Sequence, residues 1–254
     1  VIAGAIIGMV FMLITDAALL INIAAGGYDP LAGIWRLLGL VGLCFIPFFC
    51  AIMFFINWGK VVDGANDNLT GCLVSMSVLR NMQSANNRLQ NTELCCLITG
   101  GEEEGLRGAT AFARKHKHDF DDVETVFIAV DTLREISQLQ VYTRGMNGTQ
   151  RNSEYAADLL REAGTECGID LTDAGSYPGA TDAEAFSREG LIACGLGGVN
   201  HIPQTYYHTR HDTADNIDEG CIKLSLDICM QAAKTYDARA DEDVIIVDHG
   251  VAGL

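Results

Sequence analysis

The chain predicts a layered α/β domain with a mostly parallel sheet, preceded by a hairpin of two apolar helices. Three observations carry that expectation. Helix-like and strand-like stretches alternate from Leu69 onward, acidic and histidine residues fall just after strand-like stretches, and the first 58 residues are almost uncharged. Alternation of this kind builds a sheet with helices packed on it, and such sheets open their sites beyond the strand ends.

The first apolar segment, Val1 to Ala25, is interrupted only by Asp16, and the second, Leu37 to Trp58, carries no formal charge. At about 1.5 Å per residue the second reaches ~33 Å, enough for a hydrocarbon core of roughly 30 Å. Pro47 should kink it. A buried Asp16 would cost about 2.5–3.5 kcal/mol at mid-depth, so it must face a partner or the interface. The link Gly26-Gly27-Tyr28-Asp29-Pro30 joins the two, and residues 1–58 read as a transmembrane hairpin with both ends on one side. Core helices of a soluble protein would not need two such long apolar runs, and a cleaved signal peptide fits two segments worse. Arg36 and Lys60 are too few to choose an orientation.

Residues 59–254 are long enough for one domain with a large core. Leu69 to Ala85 reads as a helix, Leu94 to Thr99 as a buried strand, and Leu106 to Lys117 as a helix. Thr125 to Val130 reads as a strand ending at Asp131, Ile136 to Tyr142 as another, and Ser153 to Ala163 as a helix. Thr181 to Glu189, a short strand Leu191 to Leu196 and an amphipathic helix near Glu219 to Arg239 complete the pattern.

This second part holds nearly all of the net charge of −16, since the first 58 residues contribute only Asp16, Asp29 and Arg36. So acidic a domain is unsuited to nucleic acid or anionic headgroups through its own field. Nine cysteines, two of them inside the second apolar segment and none in a Cys-x-x-Cys pair, do not form a disulfide framework or a cysteine zinc site. They favour a reducing, cytoplasmic face for the domain.

The richest segment is Gly101 to Ala109, where Glu102, Glu103 and Glu104 follow an apolar run. Neighbouring carboxylates at a strand end suit a metal ligand beside a base, although acids also favour helix N-termini. Three further segments carry matching residue types: Asp63 to Gly71 around Asp67, Ala129 to Thr132 around Asp131, and Tyr206 to Thr213 around His208. Each has a plainer reading. Asp67 could be an N-cap, Asp131 a turn residue, and His201 and His211 are rivals of His208. Gly105 and Gly108 serve turns and packing, with no Lys-Ser/Thr to complete a phosphate loop.

Taken in this order, the four segments resemble the M28 family of zinc-dependent exopeptidases, from about Val62 to about Ile222. The resemblance implies a three-layer α/β/α domain with a mixed, mostly parallel sheet. It also implies two zinc ions, bridged by Asp67, with Glu103 and His208 completing one and Asp131 serving the other. Glu102 would be the general base and Asp182 a supporting residue. Two metals a few ångströms apart would activate a water and polarise a peptide carbonyl, and mixed carboxylate and imidazole donors suit zinc without excluding manganese or cobalt.

One departure stands out. The family pattern has a His-x-Asp motif upstream of the Asp67 motif, yet the first histidine here is His116. The expectation is that an upstream portion with the first strands and that histidine lies outside this sequence. On this reading the protein is a membrane-anchored aminopeptidase acting on peptides, with Tyr177 and Tyr207 as possible donors to the tetrahedral intermediate. A single-zinc acyltransferase like glutaminyl cyclase, and a catalytically silent membrane scaffold, are the alternatives.

Overall fold

A computed structural model describes residues 2–27, 33–52, 54, 59–84, 86–145, 148–176, 179–200 and 205–239. The chain divides into two compact units, Val1–Val61 and Val62–Leu254. In the first, helix α1 (Ile2–Ala24) is followed by α2 (Gly33–Leu43) and α3 (Ile46–Ile52). The stretches Gly4–Ala24 and Gly33–Ala51 are apolar and long enough to cross a membrane, with mean hydropathies of 2.3 and 2.0. The second breaks at Cys44 and Phe45, where i→i+3 bonds replace helical ones just before Pro47. A proline has no N–H to give and its ring crowds the preceding turn. Gly4 lets Phe48 of α3 approach closely, and Gly8 does the same for Phe45 in the break before it.

The second unit is a mixed sheet between two helical layers. Its elements are α4 (Thr70–Met82), α5 (Arg107–His116), β1 (Val126–Leu133), β2 (Gln140–Gly145), β3 (Gln150–Arg151), α6 (Glu154–Glu166), β4 (Thr172–Gly175), α7 (Asp182–Arg188), β5 (Ile192–Gly198) and α8 (Glu219–Arg239). The strand order is β1-β5-β2-β3, with β4 also on β2. β1–β5 and β2–β4 are parallel, while β5–β2 and β2–β3 are antiparallel. Strand alternation builds both cores. Val126, Ile128 and Val130 of β1 pack with α4, α6 and α8 through residues such as Val74, Leu160 and Ile228. Phe127 and Ala129 turn the other way, onto α5 and α7, where Phe127 stacks on Phe186 at 4.4 Å.

Three expectations need correction. Leu94 to Thr99 is irregular and makes no ladder among the described residues, and Leu97 and Ile98 are exposed. Its apolar run matched a buried strand, but a strand is fixed by partners as well as by composition. β1 does not end at Asp131. It continues to Leu133 through a bulge in its pairing with β5, where Thr132 takes a positive φ of 49°. The strand expected over Ile136 to Tyr142 begins only at Gln140, because Ile136–Gln138 forms a single 3-10 turn.

The helix starts follow local chemistry. Ser153 caps α6 by accepting from the Ala156 N–H at 3.3 Å. Thr181 and Glu184 form a reciprocal capping box on α7. Gly71 packs α4 onto β1 so tightly that a Cβ there would lie 2.2 Å from the Val130 carbonyl oxygen.

Candidate functional site

The candidate residues arrive from five places in the second unit. Asp67 sits in the turn Ala65–Leu69 that leads into α4, with non-helical backbone at Asp67 and Asn68. Glu102 and Glu103 lie in the loop before α5, Asp131 in β1, Asp182 at the first position of α7, and His208 in the loop between β5 and α8. Tyr177 and His201 lie outside the described residues, and His211 is exposed.

Asp67, Glu103 and His208 converge, with one donor atom from each lying within 4.8 Å of the others. His208 Nε2 is 3.1 Å from Asp67 Oδ2 and 3.3 Å from Glu103 Oε1. Two donors bound to one tetrahedral zinc at about 2.0–2.2 Å would sit roughly 3.3–3.5 Å apart, so the observed spacings fit such an ion with little rearrangement. The side chain of Asp67 is 11% exposed and that of Glu103 61%.

The electrostatics are those of acids crowded together. Burial, then Asp131, Glu103, Asp182 and Asp67, push Glu102 up to about 8. Burial and then Asp67 push Asp131 up to about 7. Burial raises Asp67 despite the opposing hydrogen bond from His208, whereas the separate hydrogen bond from His208 to Glu103 holds Glu103 low. His208 rises to about 10, through its contacts with Asp67 and then Glu103. Among these six residues, His208 alone can carry positive charge against five carboxylates, an arrangement that a bound cation relieves.

Neighbouring side chains fix the turn that carries Asp67. The Asn68 amide donates to Val130 O at 2.8 Å and accepts from Thr132 N at 3.2 Å and Gly71 N at 2.9 Å. It thereby ties the turn that carries Asp67 to both neighbours of Asp131. The buried Asp212 carboxylate accepts from Asn66 N, Asn66 Nδ2 and Asp67 N. Neither clamp was assigned from sequence; Asp212 stood within the His208 segment but carried no local signal of its partners. Asp182 accepts a short hydrogen bond from the Thr99 hydroxyl, and burial raises its pKa. Its Oδ1 is buried without a partner among the described residues.

Among the described residues the non-glycine positions with positive φ are Leu106, Thr132 and His208, and each lies at or beside this site. Such backbone is held only where surrounding structure over-determines it. The Tyr207 ring stacks on the His208 imidazole with centroids 4.0 Å apart. Burial, then Asp67 and the other acids, raises its phenol above the ordinary range.

A three-layer α/β domain bearing a carboxylate–imidazole cluster, with a protonatable glutamate beside it, has the makings of a metallohydrolase. Residues 54–233 match Peptidase family M28, and the chain belongs to that family. No curated protein sequence matches it. Among solved structures it is similar to an aminopeptidase from Aneurinibacillus sp. strain AM-1, with 23% identity, a TM-score of 0.57, and coverage of 76% of this chain and 43% of that one. It is similar also to BSAP, a zinc aminopeptidase from Bacillus subtilis, at 20% identity and TM-score 0.57, covering 69% and 42%. The LapA aminopeptidase of Legionella pneumophila gives 14%, 0.57, 72% and 48%. These likenesses establish the fold, and the chain spans under half the length of each of these proteins.

Proposed function

We propose that the protein is a membrane-anchored zinc exopeptidase that removes N-terminal residues from peptides. The observation that carries this reading is the convergence of Asp67, Glu103 and His208 donors within 4.8 Å, in a chain of a peptidase family. Asp67, Glu103 and His208 would hold one zinc ion, and Asp67 with Asp131 would provide donors to a second. Zinc there would supply Lewis acidity toward a peptide carbonyl and toward water.

The remaining chemistry belongs to the chain. Glu102, beside the cluster, takes the proton of the attacking water and returns it to the departing amine. Asp182, anchored by Thr99, keeps its charge near Glu102 and sustains the basicity of that carboxylate. Tyr207, stacked on His208, offers a hydroxyl toward the same acids. Residues 1–58 would anchor the domain as a transmembrane hairpin, with the cytoplasmic face favoured by the unpaired cysteines.

The test is zinc content per chain together with release of chromophore from aminoacyl amides. Uptake of zinc with hydrolysis from the amino end supports the reading, while zinc-free, inactive protein would favour the silent scaffold. Because only one metal has three donors among the described residues, a single-zinc acyl transfer of the glutaminyl-cyclase kind is the second reading. Conversion of N-terminal glutamine peptides without hydrolysis would select it.

A further inference from the structure

We propose that Asp212 is a positioning residue of the metal site, locking the Asp67 carboxylate into register with the His208 imidazole. This rests on the zinc reading of Asp67, Glu103 and His208 given above. Asp212 is 2% exposed, so its carboxylate has left water and must recover hydrogen bonds inside the protein. It recovers three, and all come from the ligand turn: Asn66 N at 2.7 Å, Asn66 Nδ2 at 2.7 Å and Asp67 N at 3.0 Å. One of its oxygens thus sits on the backbone N–H of the proposed ligand itself.

The other end of the lock is the histidine loop. Asp212 N–H donates to Thr209 O at 3.1 Å, and Thr209 returns both its N–H, at 2.9 Å, and its hydroxyl, at 2.7 Å, to Tyr206 O. His208 lies inside this double turn with a positive φ of 55°, a conformation its own side chain disfavours. Asn66 strengthens the join by donating to Asn216 O at 3.1 Å, and Ala65 N–H reaches Asp212 O at 3.4 Å. Two ligands about 140 residues apart in sequence are therefore joined through one residue, the Asp67 turn by the Asp212 side chain and the His208 turn by the Asp212 backbone N–H.

A carboxylate with the same task but no ligand in reach supplies the control. Asp237 accepts from Gln90 N at 2.9 Å and Asn91 N at 2.7 Å, and secures a loop against α8. A merely structural role for Asp212 predicts that Asp212→Asn and Asp237→Asn behave alike, with reduced stability and unchanged zinc affinity in the folded protein.

The experiment compares the full wild-type chain with these two variants. Zinc affinity is read by competition with a chromophoric chelator, and ligand geometry by the visible spectrum after cobalt substitution. Asp212→Asn turns one acceptor into a donor facing an N–H, and it should weaken zinc about 10–100-fold, the usual effect of losing a residue that orients a ligand. Its cobalt spectrum should shift, while KM at saturating zinc stays near wild type. Asp237→Asn should keep wild-type zinc affinity. Should Asp212→Asn not fold, Asn66→Ala removes one of the three bonds and should weaken zinc by a smaller factor in the same direction. Wild-type affinity and spectrum in the folded variant would overturn the inference about Asp212 alone. A wild type that takes up no zinc would overturn the zinc reading and this inference together.

Discussion

The two sides of the candidate site are built differently. Asp67 stands in a turn gripped from both directions, by the Asn68 amide on its neighbours around β1 and by the Asp212 carboxylate on its own N–H. Glu102 and Glu103 stand on a loop held mostly by its own backbone: Gly105 and Leu106 donate to Glu102 O, Arg107 to Gly101 O, and Gly108 to Gly100 O. The segment leading into that loop, Leu94 to Thr99, makes no ladder among the described residues, and Thr99 to Asp182 is its side-chain tie. One half of the site is thus cross-linked to distant parts of the fold, and the other is held mostly within its own loop. Preorganised donors lower the ordering cost of binding. A proton carrier, by contrast, must reach both water and leaving group, and a less constrained loop suits that task.

The sharpest way to break this division is to compare one residue from each side. Glu102→Gln should lower kcat by about 10²–10⁴-fold, the range for a lost general base, with zinc content unchanged. Asp67→Ala should lose zinc itself. Equal zinc loss in the two variants, measured by metal analysis after gel filtration, would show that Glu102 is a ligand and that the sides share one role.

Stability offers a second, smaller contrast. Asn68→Ala removes three hydrogen bonds and leaves the N–H groups of Gly71 and Thr132 without that acceptor, at a cost of about 1–3 kcal/mol. Thr99→Val removes one bond to Asp182 and should cost roughly 0.5–1.5 kcal/mol. Urea unfolding of the metal-free variants reads both. A larger loss from Thr99→Val than from Asn68→Ala would reverse the assignment of the rigid side.

The same contrast explains what could be read from sequence. Helices α4, α5, α6 and α8 announce themselves by apolar spacing, α6 also by its Ser153 cap, and β1 by the alternation that sends Val126 and Phe127 to opposite cores. Leu94 to Thr99 looked identical in kind to β1, because an apolar run does not reveal which ladder it joins. Asp67, Glu103 and His208 were singled out from their segments, and the fold brings one donor atom of each within 4.8 Å of the others. Asn68 and Asp212 were not, because their work is done through bonds to backbone 62 to 146 residues away, and no local pattern encodes such a partner.

The last contrast comes from pH, which tests whether the crowded acids of the site are a liability until a cation arrives. In the metal-free fold Glu102 is raised from 4.5 to about 8, Asp131 from 3.8 to about 7, and His208 from 6.5 to about 10. Each group then binds its proton more tightly folded than unfolded. Between the ordinary and the raised values the folded state holds more protons, so stability falls as pH rises. The two carboxyls act in the window from about pH 4 to 8, and the histidine contribution, complete below about 6.5, is lost toward pH 10. In chelator the melting temperature should therefore drop from pH 5 to pH 8, by roughly 2–4 °C for each kcal/mol in a chain of this size. Saturating zinc should abolish the slope, since a cation favours every carboxylate in its charged form. Self-repulsion in a chain of net charge −16 would also lower stability as pH rises, but Glu102→Gln distinguishes the two causes. If Glu102 contributes, the variant loses that share of the slope between pH 6 and 8; an unchanged slope would leave this carboxyl without an energetic signature.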